Sequence, residues 1–393
     1  MDFSPIELDD AALAFWRGVR AWCDAHITAE VLEEEWATGA GFSRPVHLAM
    51  GQQGWIFPTW PVEAGGAGLD RLPAAILEME LNAHHLPIMT GLSTTRLVTP
   101  AIDQWIEGDL RRDLVLGAAR GEIVFCLGYT EPDGGSDLAG VRTSARRDGD
   151  EWIVNGQKMF TSGAQHSQYT FLLARSDPDA PKHKGLTMFL VPLDSAGIEI
   201  QPVRTLGGER TNMVFFDQVR VADSHRVGPE GAGWTVLHGP LNREHQMEAD
   251  GPKPVEEQPG AMGRPTSPLV EALAASLGWA RDPDPDGRRP LDDPTVRARL
   301  AEIELGLTVA DVTPGPPGRV VRSELFIRHA AELADLVGAD ALVARGQPGA
   351  VASGVIEYAH RFAQGTAIYG GTTDVIRNVI AERFMGMPRR RPG

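Results

Sequence analysis

The sequence predicts an α+β fold: a helical domain over 1–121, a small antiparallel β domain over 122–230 and a second helical domain over 231–393. Three observations predict it. Apolar residues recur at helical spacing through 8–118, as in Leu13, Phe15, Trp16, Val19 and Trp22. From about Glu122 to Val227 the period shortens, and β-branched and aromatic residues dominate. Helical periodicity returns after Gly231-Ala232-Gly233-Trp234. A chain of 393 residues can hold two or three domains around sizeable cores, and it shows no internal repeat.

In the first domain, Gly54-Trp55-Ile56-Phe57-Pro58-Thr59-Trp60-Pro61, followed by Gly65-Gly66, reads as a rigid loop. Segments 74–84 and 96–105 read as helices, with Pro73 suited to the first helical position of the former. In the β domain, Asp148-Gly149 and Asn155-Gly156 are hairpin-type turn pairs flanking Trp152-Ile153-Val154. Further strands are expected at 169–174, 186–191, 198–203 and 213–221. In the last domain, 296–312, 320–337 and 373–384 read as helices, and the Pro/Gly-rich stretches 251–268 and 282–294 as loops.

The apolar fraction of 42% and charged fraction of 23% are ordinary for a globular protein. No apolar run approaches the roughly 20 residues of a membrane span. The start, Met-Asp-Phe-Ser-Pro-Ile-Glu, lacks a basic segment followed by an apolar one, so no signal peptide is expected. Cys23 and Cys126, the only cysteines, sit in apolar contexts without metal-ligand spacing, which suits a reduced cytoplasm and no metal. A net charge of −16 argues against a nucleic-acid binder, and Arg389-Arg390-Arg391 reads as a solvated terminus.

The most informative block is 129–162. It runs Tyr-Thr-Glu-Pro-Asp-Gly-Gly-Ser-Asp from Tyr129, and later Asn-Gly-Gln-Lys-Met-Phe-Thr-Ser from Asn155. Thr130, Ser136, Thr161 and Ser162 offer hydroxyls, Gly134 and Gly135 allow close backbone approach, and Phe160 can stack on a ring. Such a set suits a flat cofactor. It suits equally a Gly-rich turn joining a helix to a strand with Phe160 in the β core.

The combined pattern resembles the acyl-CoA dehydrogenase flavoproteins. The resemblance rests on Thr130 to Asp137, on Asn155 to Ser162, and on Phe216-Asp217-x-Val219-Arg220-Val221. It rests also on Gly231-Ala232-Gly233-Trp234 and Ile368-Tyr369-Gly370-Gly371-Thr372. Phe160 stands where the family usually has Trp. The divergence resembles actinobacterial members that carry the base on the helix after the β domain. The likeness spans most of the chain and is weakest over about 246–355. It implies a helical N-terminal domain, a middle antiparallel β domain and a C-terminal domain of four-helix-bundle type. It implies FAD as cofactor and removal of the α-proton of an acyl-CoA while hydride passes from the β-carbon to flavin N5. An electron-transferring flavoprotein or similar acceptor would reoxidise the flavin. Thr130 and Ser162 are then expected to bond the flavin ring and Phe160 to lie against it. Ser136 is expected nearer the pyrophosphate or the acyl-CoA chain. Leu127, Gly135, Thr161 and Thr372 complete the expected cofactor contacts.

Removing the α-proton of a thioester needs a positioned base, and a buried carboxylate of raised pKa suits it. Many family members place a Glu directly after the Ile-Tyr of the C-terminal motif. Here that position is Gly370, whose backbone N–H is expected to polarise the thioester carbonyl. Thr372 or Thr373 should cap the helix that follows, whose apolar face is Val375, Ile376, Val379 and Ile380. Other members carry the base on the helix after the Gly-Ala-Gly-aromatic turn, and a gap-free count from Gly231 places Glu244 there. A two-residue slip would place Asn242 there instead, Glu248 is the fallback, and a surface helix charge paired with Arg243 or His245 is the plain alternative for Glu244.

The neighbour-contact segment Arg-x-x-Phe-Gly of family tetramers is absent. Its region reads Trp279-Ala280-Arg281-Asp282-Pro283, and Gly338-Ala339-Asp340 is the nearest remnant of a Gln-x-x-Gly-Gly element. This implies a homo- or hetero-oligomer, dimer or tetramer, in which subunits share flavin sites. Two alternatives to an acyl-CoA dehydrogenase of fatty acid or steroid degradation stay open. One is an oxidase or monooxygenase of the same fold, and the other a non-catalytic scaffold subunit.

Overall fold

A computed structural model describes residues 7–84, 89–244, 267–283 and 285–388. Glu248, residues 251–266 and Arg389-Arg390-Arg391 lie outside the described residues. The chain divides into two compact units. The first takes the described residues through Arg204 and 209–244; the second takes Thr205–Gly208 and the described residues from 267 onward.

The first unit begins with six helices: α1 (Asp10–His26), α2 (Ala29–Thr38), α3 (Arg44–Gln52), α4 (Arg71–Ala83), α5 (Met89–Trp105) and α6 (Gly108–Ala119). Asp9 caps α1 by accepting from the Ala12 amide at 2.8 Å, and Ala12, Val19 and Cys23 form its buried stripe. Helix α4 starts at Arg71, so Pro73 stands third rather than first. Its missing N–H is still one of the donors a first turn leaves unsatisfied. The Gly54–Pro61 loop wraps the Arg96 guanidinium, which donates to Ile56 O at 2.6 Å and Trp55 O at 3.0 Å. Phe57 stacks on Trp60 at 4.0 Å.

An eight-stranded sheet follows: β1 (Phe125–Gly128), β2 (Ser144–Asp148), β3 (Glu151–Lys158), β4 (Tyr169–Arg175), β5 (Leu186–Pro192), β6 (Ile198–Arg204), β7 (Arg210–Ala222) and β8 (Arg226–Val227). The order is β6-β7-β3-β2-β4-β5-β8, with β1 beside β4. β1 and β2 pair with β4 in parallel, and the other pairs are antiparallel. One face buries Trp152, Val154, Phe189, Val214, Phe216 and Val219. A second core joins β1, β4 and β5 to the helices through Phe125, Phe171, Met188 and Leu190.

One expected turn is not a turn. Asp148-Gly149 does close the β2–β3 hairpin, but Asn155-Gly156 lies inside β3. There β7 carries an extra residue: Val154 pairs with Val219, and Gly156 with Phe216. Gln218 takes up the bulge with φ +51, and the Asn155 Oδ1 accepts from its amide at 2.9 Å and its side chain at 2.8 Å. Gly156, at φ +144, is required because a Cβ there would stand 2.7 Å from Thr143 Cα. An Asn-Gly pair meets the backbone demands of a bulge as well as those of a hairpin.

Helix α7 (Gly233–Glu244) leaves the sheet at the Gly-Ala-Gly turn. The Gly231 amide donates to Thr187 Oγ1 at 3.0 Å, and a Cβ on Gly233 would lie 2.7 Å from the Leu186 carbonyl carbon. Glycine therefore lets the chain run against β5, after which Val236 and Leu237 enter the core that joins the sheet to the helices.

The second unit contains α8 (Ser267–Arg281), α9 (Pro294–Val312), α10 (Gly315–Val337), α11 (Val355–Thr366) and α12 (Thr373–Val379). Their core includes Leu269, Leu273, Ile303, Phe326, Leu333 and Ile356. Helix α10 starts before residue 320 because Pro316 and Pro317 fall in its first turn, where proline is tolerated. The helix expected over 373–384 is α-helical to Val379 and then widens to a π turn over Ile380–Phe384. Among the described residues no helix is long and apolar enough to cross a membrane.

Candidate active site

Strand β1 brings half-buried Leu127 to the sheet and releases the chain at Tyr129 and Thr130 into the Gly-rich loop. Gly135 and Ser136 are exposed on that loop, and a Cβ on Gly135 would stand 3.2 Å from Thr130 Cγ2. The far half of the block is the end of β3. Lys158 falls in the same alternate register of β3 as Trp152 and Val154 and, past the exposed Gly156, is again fully buried, so a lysine occupies a core position. Its Nζ lies 2.8 Å from Glu131 Oε1 and 3.2 Å from Tyr129 O. Glu131 also accepts from the amides of Arg142 (2.7 Å) and Thr143 (2.8 Å). Burial pulls the Lys158 ammonium down to about 8 against the attraction of Glu131. Burial pushes the Glu131 carboxyl up, but Lys158 and the two donating amides outweigh it and hold it below its ordinary value.

The two halves also meet directly, since the Met159 amide donates to Thr130 O at 2.8 Å. One residue on, Phe160 is 55% exposed and sits at φ +59. Phe160 is therefore not part of the β core. An exposed phenyl ring in the left-handed region costs about 1–3 kcal/mol of backbone strain and is held by its surroundings. The holder is Asn212, which is fully buried. Its carbonyl accepts from the Thr161 amide at 3.0 Å, and its Nδ2 donates to Thr161 O at 2.9 Å and to Gln165 Oε1 at 2.6 Å. Thr161 is buried, and its hydroxyl has no hydrogen-bond partner among the described residues. The Ser162 hydroxyl donates to Thr211 Oγ1 at 3.0 Å.

The structure thus brings Thr130, Phe160, Thr161 and Ser162 onto one bonded framework, with Gly135 next to Thr130. An exposed ring held at positive φ, with open backbone and hydroxyl groups beside it, fits a flat hydrogen-bonding cofactor. Neither Glu131, Lys158 nor Asn212 is a predicted site residue. The first two were legible as an acid and a base within the matched motifs, the lysine on the core face of a strand. Asn212 carried no sequence signal.

Helix α7 ends at Glu244, whose side chain lies outside the described residues, as do those of Asn242 and Arg243. Near the start of α7, Trp234 meets His183 and His238 edge-on at 4.7 and 5.3 Å.

In the second unit, Gly370 and Gly371 have φ of +61 and +84. The turn is held from α10. Arg319 donates to Tyr369 O at 2.5 Å, with its guanidinium 5.7 Å from the Tyr369 ring centre. The Thr373 amide donates back to Ala367 O at 3.0 Å. Thr372, rather than Thr373, is the N-cap of α12 and accepts from the Val375 amide at 3.2 Å. Ile376 supplies the buried face of that short helix. A Glu side chain at position 370 would have to adopt the left-handed conformation that glycine takes at no steric cost.

Family models of the acyl-CoA dehydrogenase N-terminal, middle and C-terminal domains match residues 9–122, 126–219 and 321–385. The acyl-CoA dehydrogenase FadE26 of Mycobacterium tuberculosis is 31% identical over 363 residues, covering 86% of each chain. The solved structure of the Tcur3481–Tcur3483 steroid ACAD superposes with a TM-score of 0.82 at 30% identity, covering 98% of this chain and 100% of that one. The ChsE4–ChsE5 complex from Mycobacterium tuberculosis gives a TM-score of 0.79 at 29% identity, covering 98% of this chain and 100% of its own.

Proposed function

This chain belongs to the acyl-CoA dehydrogenase family, and from that premise we propose that it performs FAD-dependent α,β-dehydrogenation of an acyl-CoA to the 2-enoyl-CoA. The family is one of oxidoreductases acting on CH–CH bonds. The observation that carries the finer reading is Phe160, exposed at φ +59 and bonded through its neighbours to the Thr130 loop.

In this reading Phe160 supports the flavin ring, and Thr130 and Ser162 line its edge. Ser136 and the Gly135 backbone face the rest of the cofactor or the acyl-CoA. Leu127, Thr161 and Thr372 complete the cofactor contacts. Bound FAD supplies the acceptor for the β-hydride. Glu244 takes the α-proton as general base. The Gly370 backbone N–H polarises the thioester carbonyl as enolate charge develops, a role that survives without a side chain. The absence of a carboxylate at Gly370 is what moves the base assignment to Glu244.

The names of similar proteins support two further parts of the reading. One is a steroid ACAD and another a two-subunit complex. We infer a bulky, steroid-type acyl group and an assembly of at least two subunits, with an electron-transferring flavoprotein or similar acceptor downstream. The test is the visible spectrum of the purified protein before and after anaerobic addition of acyl-CoAs. A flavin band that bleaches with a steroid-type acyl-CoA supports the reading. A protein without flavin, alone and with its co-expressed partner, overturns it.

A further inference from the structure

The Glu131–Lys158 pair has no part in the chemistry proposed above, yet it is a buried ion pair in the first unit. Both groups are withdrawn from water, with Lys158 fully buried and Glu131 9% exposed. Taking two charges out of water costs several kcal/mol per ion before their attraction offsets it. An apolar pair of similar volume would usually serve stability as well. What an apolar pair cannot do is make directional bonds to several segments at once.

The carboxylate does that here. It accepts three bonds, its lysine partner donates a fourth, and together they gather three pieces of chain. These are the 129–131 stretch, by its own backbone and by Lys158 to Tyr129 O; the entry to β2, by the Arg142 and Thr143 amides; and the end of β3, by Lys158 itself. Glu131 directly follows Thr130, and Lys158 comes two residues before Phe160. The same two stretches are joined a second time by the Met159 amide on Thr130 O. The pair therefore lies between the loop that carries Thr130 and the turn that carries Phe160 and Ser162. Gly156 lets β3 run close against Thr143, whose amide is one of the two bonded by Glu131.

We propose that Glu131 and Lys158 are positioning residues for the cofactor: their buried ion pair fixes the Thr130 loop against the Phe160 turn and so sets the geometry in which the flavin ring is held. The proposal rests on the flavin-binding reading above. Neither residue touches the cofactor; each acts through its neighbours in the chain.

The test is FAD affinity and the flavin spectrum of the full-length protein in its native assembly, measured after removal and re-addition of FAD. Glu131→Gln and Lys158→Met are compared with Val221→Ala, a core truncation in the same sheet at a position that pairs with Trp152 rather than with either member of the ion pair. Both pair variants are expected to weaken FAD by about tenfold or more and to shift the absorption envelope of whatever flavin remains. Val221→Ala is expected to lower Tm while holding FAD within about twofold of the parent. Glu131→Asp keeps the charge but shortens the reach by one methylene. It covers the case in which the neutral variants fail to fold, and its FAD affinity should again fall, with an altered spectrum. Parent-like affinity and spectrum in the pair variants overturns the proposal and leaves the flavin reading standing. So does an affinity loss that Val221→Ala reproduces at equal loss of Tm. A parent protein with no affinity for FAD overturns both.

Discussion

The block at 129–162 and the turn at 369–373 both depend on glycine, but they are held in different ways. The first is gripped from inside the protein: a buried ion pair, a buried asparagine and an inter-segment backbone bond fix it. The second is held at its edges, by one arginine on the carbonyl before the turn and one threonine cap after it. In the first region Thr130, Phe160 and Ser162 stand on that framework. In the second, the residue after Ile368-Tyr369 is glycine at φ +61, a conformation in which a side chain is strained. The difference teaches that the two turns are stabilised independently of each other. On the proposed function, cofactor binding and proton transfer then rest on different elements.

Four perturbations break or sharpen that contrast. The largest expected effect is on acid stability of the first unit. His47 is fully buried, and neither ring nitrogen has a hydrogen-bond partner among the described residues. Burial, helped by the charges of Arg44 and Arg96, holds its pKa down at about 3. The unfolded chain takes up this proton below pH 6.5 and the native state refuses it down to about 3. The contribution to stability is therefore complete above that window and is lost as pH falls through it. The loss is on the order of 5 kcal/mol for the full shift. Denaturant titrations across that pH range should show a shallower slope in His47→Phe than in the parent.

Next, Asn212→Ala leaves Thr161 O and Gln165 Oε1 buried without their donor. It should cost about 3 kcal/mol in urea unfolding and release the strained Phe160 turn, lowering flavin retention. In the second region, Gly370→Glu puts a side chain at positive φ. A cost of about 1–2 kcal/mol is expected, with no gain in dehydrogenation. Faster turnover in that variant would show that the turn still accepts a carboxylate. The smallest effect is Thr372→Ala, which removes the α12 cap for about 1 kcal/mol, read as a drop in Tm without loss of flavin.

Much of this was legible in the sequence. Strands β4 to β6 begin where the β-branched and aromatic runs place them: β4 and β5 are near-continuous apolar runs buried on both faces, and β6 sets half-buried Ile198 and Ile200 among exposed residues. A threonine cap at 372 or 373 followed from hydroxyl placement before an apolar stripe, and the structure selects Thr372. What escaped was tertiary. Asn155-Gly156 looks like a turn because a bulge makes the same backbone demand, and only the partner strand tells them apart. Proline delayed the predicted start of α10, although its first turn has no use for those N–H groups. Lys158 violates the core pattern of β3, a conflict visible in the alternation, but its partner 27 residues away in sequence is fixed only by the fold. Asn212 and His47 owe their roles wholly to burial.

The central claim is that the carboxylate missing at Gly370 is replaced by Glu244. Its most direct measurement is the anaerobic rate at which an acyl-CoA bleaches the flavin band in Glu244→Gln, with flavin content matched to the parent. The account predicts a fall of about a hundredfold to ten-thousandfold, the usual worth of a general base, with FAD still bound. Bleaching as fast as in the parent would contradict it.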